Sequence, residues 1–143
     1  MYEYSAKILR LVDGDTCDAQ IELGFKIGMA ERFRLLGVNT PETYSVKRDS
    51  DEYRAGIAAT VSVFRMLAPH RDNYSDADVE DFLKSRHPNL GSNGVFYIPI
   101  QVRIRTHKDS KGKYGRYLAE VFVGDDTESI NTKLVRMGYG AEY

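Results

Sequence analysis

The fold is decided by residues 16 to 23, which read TCDAQIEL. Cys17, Ala19, Ile21 and Leu23 alternate with polar side chains, and this is the period of a β-strand with one buried face. Residues 95 to 105 repeat the alternation, although Pro99 predicts an edge position or a bulge there. Shorter apolar stretches predict strands at 4 to 12, 32 to 38 and 116 to 123. The sequence therefore predicts about five strands separated by turns.

About three helices are predicted between and after these strands. In residues 52 to 67 apolar side chains recur at helical spacing, and Asp49 with Glu52 resembles a capping box with Asp49 as the cap. Shorter apolar stripes predict helices at 76 to 86 and 129 to 137. Closing five strands into a barrel removes the exposed sheet edges, and one such fold, the OB-fold, often binds nucleic acid. The pattern permits an α+β fold of this kind, a five-stranded OB-fold barrel with about three helices, without requiring it.

Composition limits the kinds of site that this chain can build. With 143 residues the chain fits one domain, which we predict to span residues 1 to 143. Cys17 is the only cysteine, so an intramolecular disulfide is impossible. The three histidines at positions 70, 87 and 107 lie far apart, and this spacing argues against a zinc site.

The charge and the N-terminal sequence give an expectation for the compartment. Residues 1 to 5 show no basic segment followed by an apolar one, and no long apolar run occurs elsewhere. We expect a cytoplasmic protein without membrane association, although a trimmed signal peptide would leave secretion open. The net charge of −1 argues against a general polyanion-binding surface. No obligate protein partner is evident.

Three segments carry residues that could perform chemistry. The turn Asp13-Gly14-Asp15-Thr16 places two carboxylates close together, although an Asp-Gly turn is often only a turn. In the second segment, residues 33 to 43, Arg34 projects to the face opposite its apolar neighbours and Glu42 follows in a Pro-containing turn. This segment could equally be a salt-bridged strand and a loop.

The third segment is the Gly-rich connection KGKYGR at residues 111 to 116, which ends in Arg116. Six Lys or Arg residues and one acid lie between Arg103 and Arg116, so the local field is positive on a nearly neutral chain. A solvated hairpin is the alternative interpretation.

Together the three segments resemble the staphylococcal nuclease (thermonuclease) family, in the same order and with the same internal spacing. The resemblance runs from Ala6 to about Tyr143, and it implies a five-stranded OB-fold barrel that cleaves DNA and RNA with calcium. It implies that Asp15, Asn39 and Thr40 bind the metal, with Asp13 beside them. Glu42 matches the glutamate that orients or deprotonates the attacking water.

The remaining implied roles concern the substrate. Arg34 and Arg116 match the two arginines that hold the scissile phosphate, and Lys113 and Tyr114 resemble contacts to a terminal phosphate. Two guanidinium groups suit the negative charge that gathers on a phosphodiester in the transition state. A hard cation bound by oxygen ligands offsets the same charge, and a carboxylate can accept the proton of water.

The sequence departs from the family at two places that bear on these roles. Asn39 stands where strongly active enzymes carry a carboxylate ligand, so calcium should bind more weakly than in relatives. Residues 69 to 94 lengthen one connection and are acidic, and we predict an inserted solvated helix there.

The three segments predict a metal-dependent nuclease acting on DNA and/or RNA, and the resemblance implies a calcium-dependent endonuclease. A non-catalytic nucleic-acid-binding module of the same fold is the main alternative. A protein-interaction or inhibitory domain that uses the acidic insertion is a third interpretation. The presence of Asp15, Arg34, Glu42 and Arg116 together favours the enzyme.

Overall fold

The computed structural model describes residues 2–43, 46–47, 49–67, 95–111 and 117–143, with side chains in the fifth strand described for 100–107. The strands are β1 (Tyr2–Asp13), β2 (Thr16–Gly24), β3 (Ile27–Leu35), β4 (Val38–Asn39), β5 (Val95–Lys111), β6 (Tyr117–Phe122) and β7 (Ala141–Glu142). The described helices are α1 (Asp51–Leu67) and α2 (Ile130–Arg136). The predicted helix at 76–86, the insertion at 69–94, Lys113, Tyr114 and Arg116 lie outside the described residues.

Five strands close into a barrel in the order β1-β2-β3-β6-β5, with β5 pairing back onto β1. Neighbouring strands are antiparallel except β3 and β6, which run parallel with Phe33 opposite Tyr117. The short strands β4 and β7 form a separate antiparallel pair. The predicted α+β fold with a closed five-stranded barrel is confirmed.

The alternation in β2 sets the inside of the barrel. Cys17, Ala19 and Ile21 are buried, whereas Leu23 is 44% exposed, because the end of β2 extends beyond the core. β3 begins at Ile27, five residues before the predicted start at 32, and its first four residues are exposed. That half of β3 pairs with β2 without burying a face, so its sequence carries no alternation.

Helix α1 packs its apolar stripe against the barrel. Val63, Phe64 and Leu67 belong to the same buried cluster as the inward residues of the strands. The helix is capped by Ser50, whose hydroxyl accepts a hydrogen bond from the Tyr53 amide at 3.1 Å. The prediction of Asp49 as the cap was therefore wrong by one residue, and the hydroxyl satisfies the amide as a carboxylate would have done.

Asn131 joins helix α2 to the barrel. Its amide nitrogen donates to the carbonyls of Leu36 and Ala119 at 2.9 and 3.0 Å, and its Oδ1 accepts from the Val121 amide at 3.1 Å. These bonds fix α2 against β6 and against the turn that follows β3. In the described part of the chain no helix is both long and apolar enough to cross a membrane.

Candidate active site

The turn between β1 and β2 brings two carboxylates together at one end of the barrel. Asp13 and Asp15 are 8% and 5% exposed, and the Asp15 amide donates to Asp13 Oδ1 at 3.2 Å. The Asp15 carboxylate accepts two further hydrogen bonds, from the Thr16 hydroxyl at 3.0 Å and from the Thr40 amide at 2.9 Å. The second bond ties the turn to the segment that carries Asn39 and Glu42.

The two carboxyl groups have opposite pKa shifts. Burial, followed by the nearby charge of Asp15, raises the pKa of Asp13 to about 7. Burial alone would also raise the pKa of Asp15, but hydrogen bonds from Asp13 and Thr40 and the charge of Arg34 hold it below its ordinary value. Near neutral pH the Asp15 carboxylate is therefore ionised, whereas the Asp13 carboxyl group is only partly ionised.

Arg34 points at this pair from β3. Its neighbours Phe33 and Leu35 are buried in the barrel, so the arginine side chain projects to the opposite face. The guanidinium Nη2 donates to Asn39 Oδ1 at 2.8 Å and approaches Asp15 Oδ2 at 3.5 Å. The Arg34 side chain is 15% exposed, so it is largely but not fully enclosed.

Asn39, Thr40 and Glu42 reach the same region from the segment after β3. Asn39 belongs to β4 and pairs with Ala141 of β7, while Thr40 is buried. Glu42 is exposed and lines the same cleft as Asn39 and Thr40, and its negative charge contributes to the raised pKa of Asp13. This open cleft has a volume of about 530 Å³.

The structure thus brings together five of the eight predicted site residues: Asp15, Arg34, Asn39, Thr40 and Glu42. Arg116, Lys113 and Tyr114 fall outside the described residues. The next residue along the chain, Tyr117, pairs with Phe33, the neighbour of Arg34.

The oxygen atoms around Asp15 are of the type that a hard cation binds, but only one of the groups that carry them is a charged carboxylate. Among the described residues no three His, Cys, Asp or Glu side chains lie close enough to hold a metal. Donors of the right kind are nevertheless present in the Asp15 carboxylate and the Asn39 amide. The buried hydroxyl of Thr40 also has no hydrogen-bond partner within the described part of the chain. One carboxylate with neutral oxygens offers a hard cation few ligand charges, and the affinity of such oxygen sites depends on the number of those charges.

Two features of the site were missed by the sequence analysis. The ring of Tyr143 lies 4.6 Å from the guanidinium carbon of Arg34, in a cation–π contact across more than a hundred residues. No local pattern predicts such a contact. Gly56 is the second feature: it is buried in α1 against the segment after β4, and an isolated glycine in a helical pattern was the available signal.

Comparison with known proteins relates this chain to nucleases. The family model described as staphylococcal nuclease homologue matches residues 98–143. The chain is similar to the thermonucleases of Staphylococcus intermedius (32% identity over 92% of the chain and 55% of that protein) and Staphylococcus hyicus (27%, over 95% and 57%). An uncharacterized protein of Methanocaldococcus jannaschii is 26% identical over 98% of the chain and 59% of its own length.

The chain thus spans little more than half the length of the curated relatives that it matches. The similarity nevertheless extends over nearly the whole of this chain and includes the barrel that carries the site. The matched family model, the two thermonuclease relatives and the closed five-stranded barrel together support a staphylococcal nuclease-like fold for this chain.

Proposed function

We propose that the protein is a metal-dependent nuclease that hydrolyses phosphodiester bonds in DNA or RNA. The observation that carries the proposal is the meeting of Asp15, Arg34 and the segment 39–42 at one end of the barrel. A cation-binding carboxylate, a guanidinium and a second carboxylate can together promote phosphodiester hydrolysis, because they neutralise developing charge and accept the proton of water.

Arg34 and Arg116 hold the scissile phosphate in this proposal. As water attacks, negative charge grows on the non-bridging phosphate oxygens, and a guanidinium can donate two parallel hydrogen bonds to them. Arg34 is held by Asn39 and by the ring of Tyr143, so little reorganisation is needed when substrate arrives. Arg116 supplies the second guanidinium. Lys113 and Tyr114 bind a neighbouring phosphate.

Calcium is the proposed cofactor, held by Asp15, by the Asn39 amide oxygen and by an oxygen of Thr40. The bound ion would neutralise developing charge on the phosphate and lower the pKa of water. Because Asn39 is neutral and its oxygen already accepts a hydrogen bond from Arg34, these residues alone would hold calcium weakly, and substrate phosphate would add the missing charge.

Glu42 is the proposed proton acceptor or orienting group for the attacking water. Glu42 is exposed, so water reaches it freely, and it lines the same cleft as Asn39 and Thr40. A positioned carboxylate of this kind typically contributes about 10²–10⁴-fold to the rate.

A non-catalytic nucleic-acid-binding module remains the alternative, and one assay separates it from the enzyme. Purified protein is incubated with single- and double-stranded DNA and RNA, in the presence of calcium, magnesium, manganese or a chelator. We expect cleavage that requires calcium and that falls at least about 100-fold in Glu42→Gln, which also controls for a contaminating nuclease. Binding without cleavage under every condition would favour the alternative.

A further inference from the structure

The segment that carries Asn39 and Glu42 is packed against a glycine of helix α1. Gly56 is buried, and a Cβ built on it would lie 2.7 Å from the carbonyl oxygen of Pro41 and 2.9 Å from that of Glu42. Real Cβ atoms essentially never come within 3.0 Å of a heavy atom outside their own residue and its chain neighbours. The helix backbone therefore approaches the segment at a distance that only glycine permits.

Helix formation by itself argues against glycine at this position. Except for proline, glycine is the residue least favourable to a helix interior, and alanine is the most favourable. Gly56 lies one turn inside α1, and its carbonyl accepts a hydrogen bond from the Thr60 hydroxyl at 2.8 Å. An alanine here would strengthen the helix unless the approach to Pro41 and Glu42 matters.

One of the two carbonyls belongs to Glu42, the residue proposed to orient water, and the other belongs to Pro41 directly before it. We infer that Gly56 is a positioning residue for Glu42: by lacking a side chain, it lets α1 seat the backbone of residues 41 and 42. The inference rests on the proposed nuclease function. It concerns a residue of α1 that does not itself touch the phosphate, the metal or the attacking water.

Replacing Gly56 by Ala should displace this segment by several tenths of an ångström, since backbone carbonyls cannot rotate away as a flexible side chain would. A displacement of about 1 Å can cost about 100-fold in rate, so we expect kcat to fall about 10-fold or more while KM changes little. The Thr40 amide, which donates to Asp15 from the same segment, should exchange its hydrogen faster.

The control is Ala55→Gly, an exposed position next to Gly56 on the same helix. It weakens the helix without changing the contact, so it should lower thermal stability and leave kcat unchanged. A second variant, Gly56→Ala with Thr43→Ser, removes the Thr43 methyl group that would lie 2.6 Å from the new Cβ. Because the carbonyl contacts remain, kcat should stay low in this double variant, which also replaces the single variant if that one does not fold.

The outcomes separate this inference from the proposed function. Low kcat in both Gly56→Ala proteins, with normal kcat in Ala55→Gly, supports it. Parental kcat in Gly56→Ala overturns it, and full recovery in the double variant overturns it as well, because the Thr43 methyl alone would then explain the effect. If the parent cleaves no nucleic acid, the proposed function fails, and Thr40 exchange alone decides whether Gly56 seats the segment: unchanged exchange overturns the inference.

Discussion

Replacing Asp13 by Asn tests the electrostatics of the β1–β2 turn. Burial and the charge of Asp15 raise the pKa of Asp13 from 3.8 to about 7 in the folded protein. The folded protein therefore keeps this proton up to about pH 7, while the unfolded chain releases it near pH 3.8. The contribution of Asp13 to stability is full below pH 3.8 and is lost progressively between pH 3.8 and about 7.

The magnitude follows from the two pKa values. One pKa unit corresponds to about 1.4 kcal/mol, so the change from 3.8 to about 7 corresponds to roughly 4 kcal/mol. Asparagine has nearly the same shape, carries no charge and keeps an oxygen that can accept from the Asp15 amide. We expect Asp13→Asn to match the parent near pH 3.5 and to be more stable by about 2–4 kcal/mol at pH 8.

Urea unfolding of both proteins between pH 3.5 and 8.5, with a chelator present, measures this difference directly. Asp125→Asn is the matched control, since Asp125 is exposed in the turn after β6 and its replacement should change the free energy of unfolding by less than about 0.5 kcal/mol. A difference between Asp13→Asn and the parent that is independent of pH, or that falls as pH rises, would refute the reasoning.

Two further predictions concern the metal and the insertion. Restoring a carboxylate with Asn39→Asp should tighten calcium and shift the activity curve to lower calcium concentration, because ligand charge sets affinity in oxygen-ligand sites. Calorimetry and activity titrations that leave both curves in place would mean that Asn39 is not a ligand. Replacing residues 69 to 94 by a short Gly/Ser turn should leave metal-dependent cleavage detectable in the folded fraction. Complete loss of activity in a well-folded deletion would place part of the site inside the insertion.

The barrel could be predicted from the sequence because a strand with one buried face alternates apolar and polar residues. The alternation from Cys17 to Ile21 indicates which face of β2 is buried. The apolar neighbours of Arg34 indicate the same for β3. The start of β3 at Ile27 could not be predicted in this way, because those residues pair with β2 beyond the core and bury no face.

The same distinction between local patterns and distant contacts applies to the candidate site. Its residue types and their order could be predicted from short motifs, and the opposite projection of Arg34 followed from strand geometry. Contacts between distant segments could not be predicted, because they leave no local pattern in the sequence. Examples are the contact of Tyr143 with Arg34 and the hydrogen bonds from Asn131 to Leu36 and Ala119. The approach of Gly56 to Pro41 is of the same kind, and it depends on how α1 docks on the barrel.

The most direct measurement of the proposed chemistry is the calcium-dependent cleavage rate of Arg34→Ala and Arg116→Ala, each compared with the parent under saturating metal and substrate. Arg54→Ala is the control, because Arg54 is an exposed arginine of α1 that pairs with Asp51 on the helix surface. We expect each of the first two variants to remain folded by circular dichroism and to cleave at least about 100-fold more slowly. Arg54→Ala should cleave at the parental rate. Parental rates in folded Arg34→Ala or Arg116→Ala would contradict the assignment of the site.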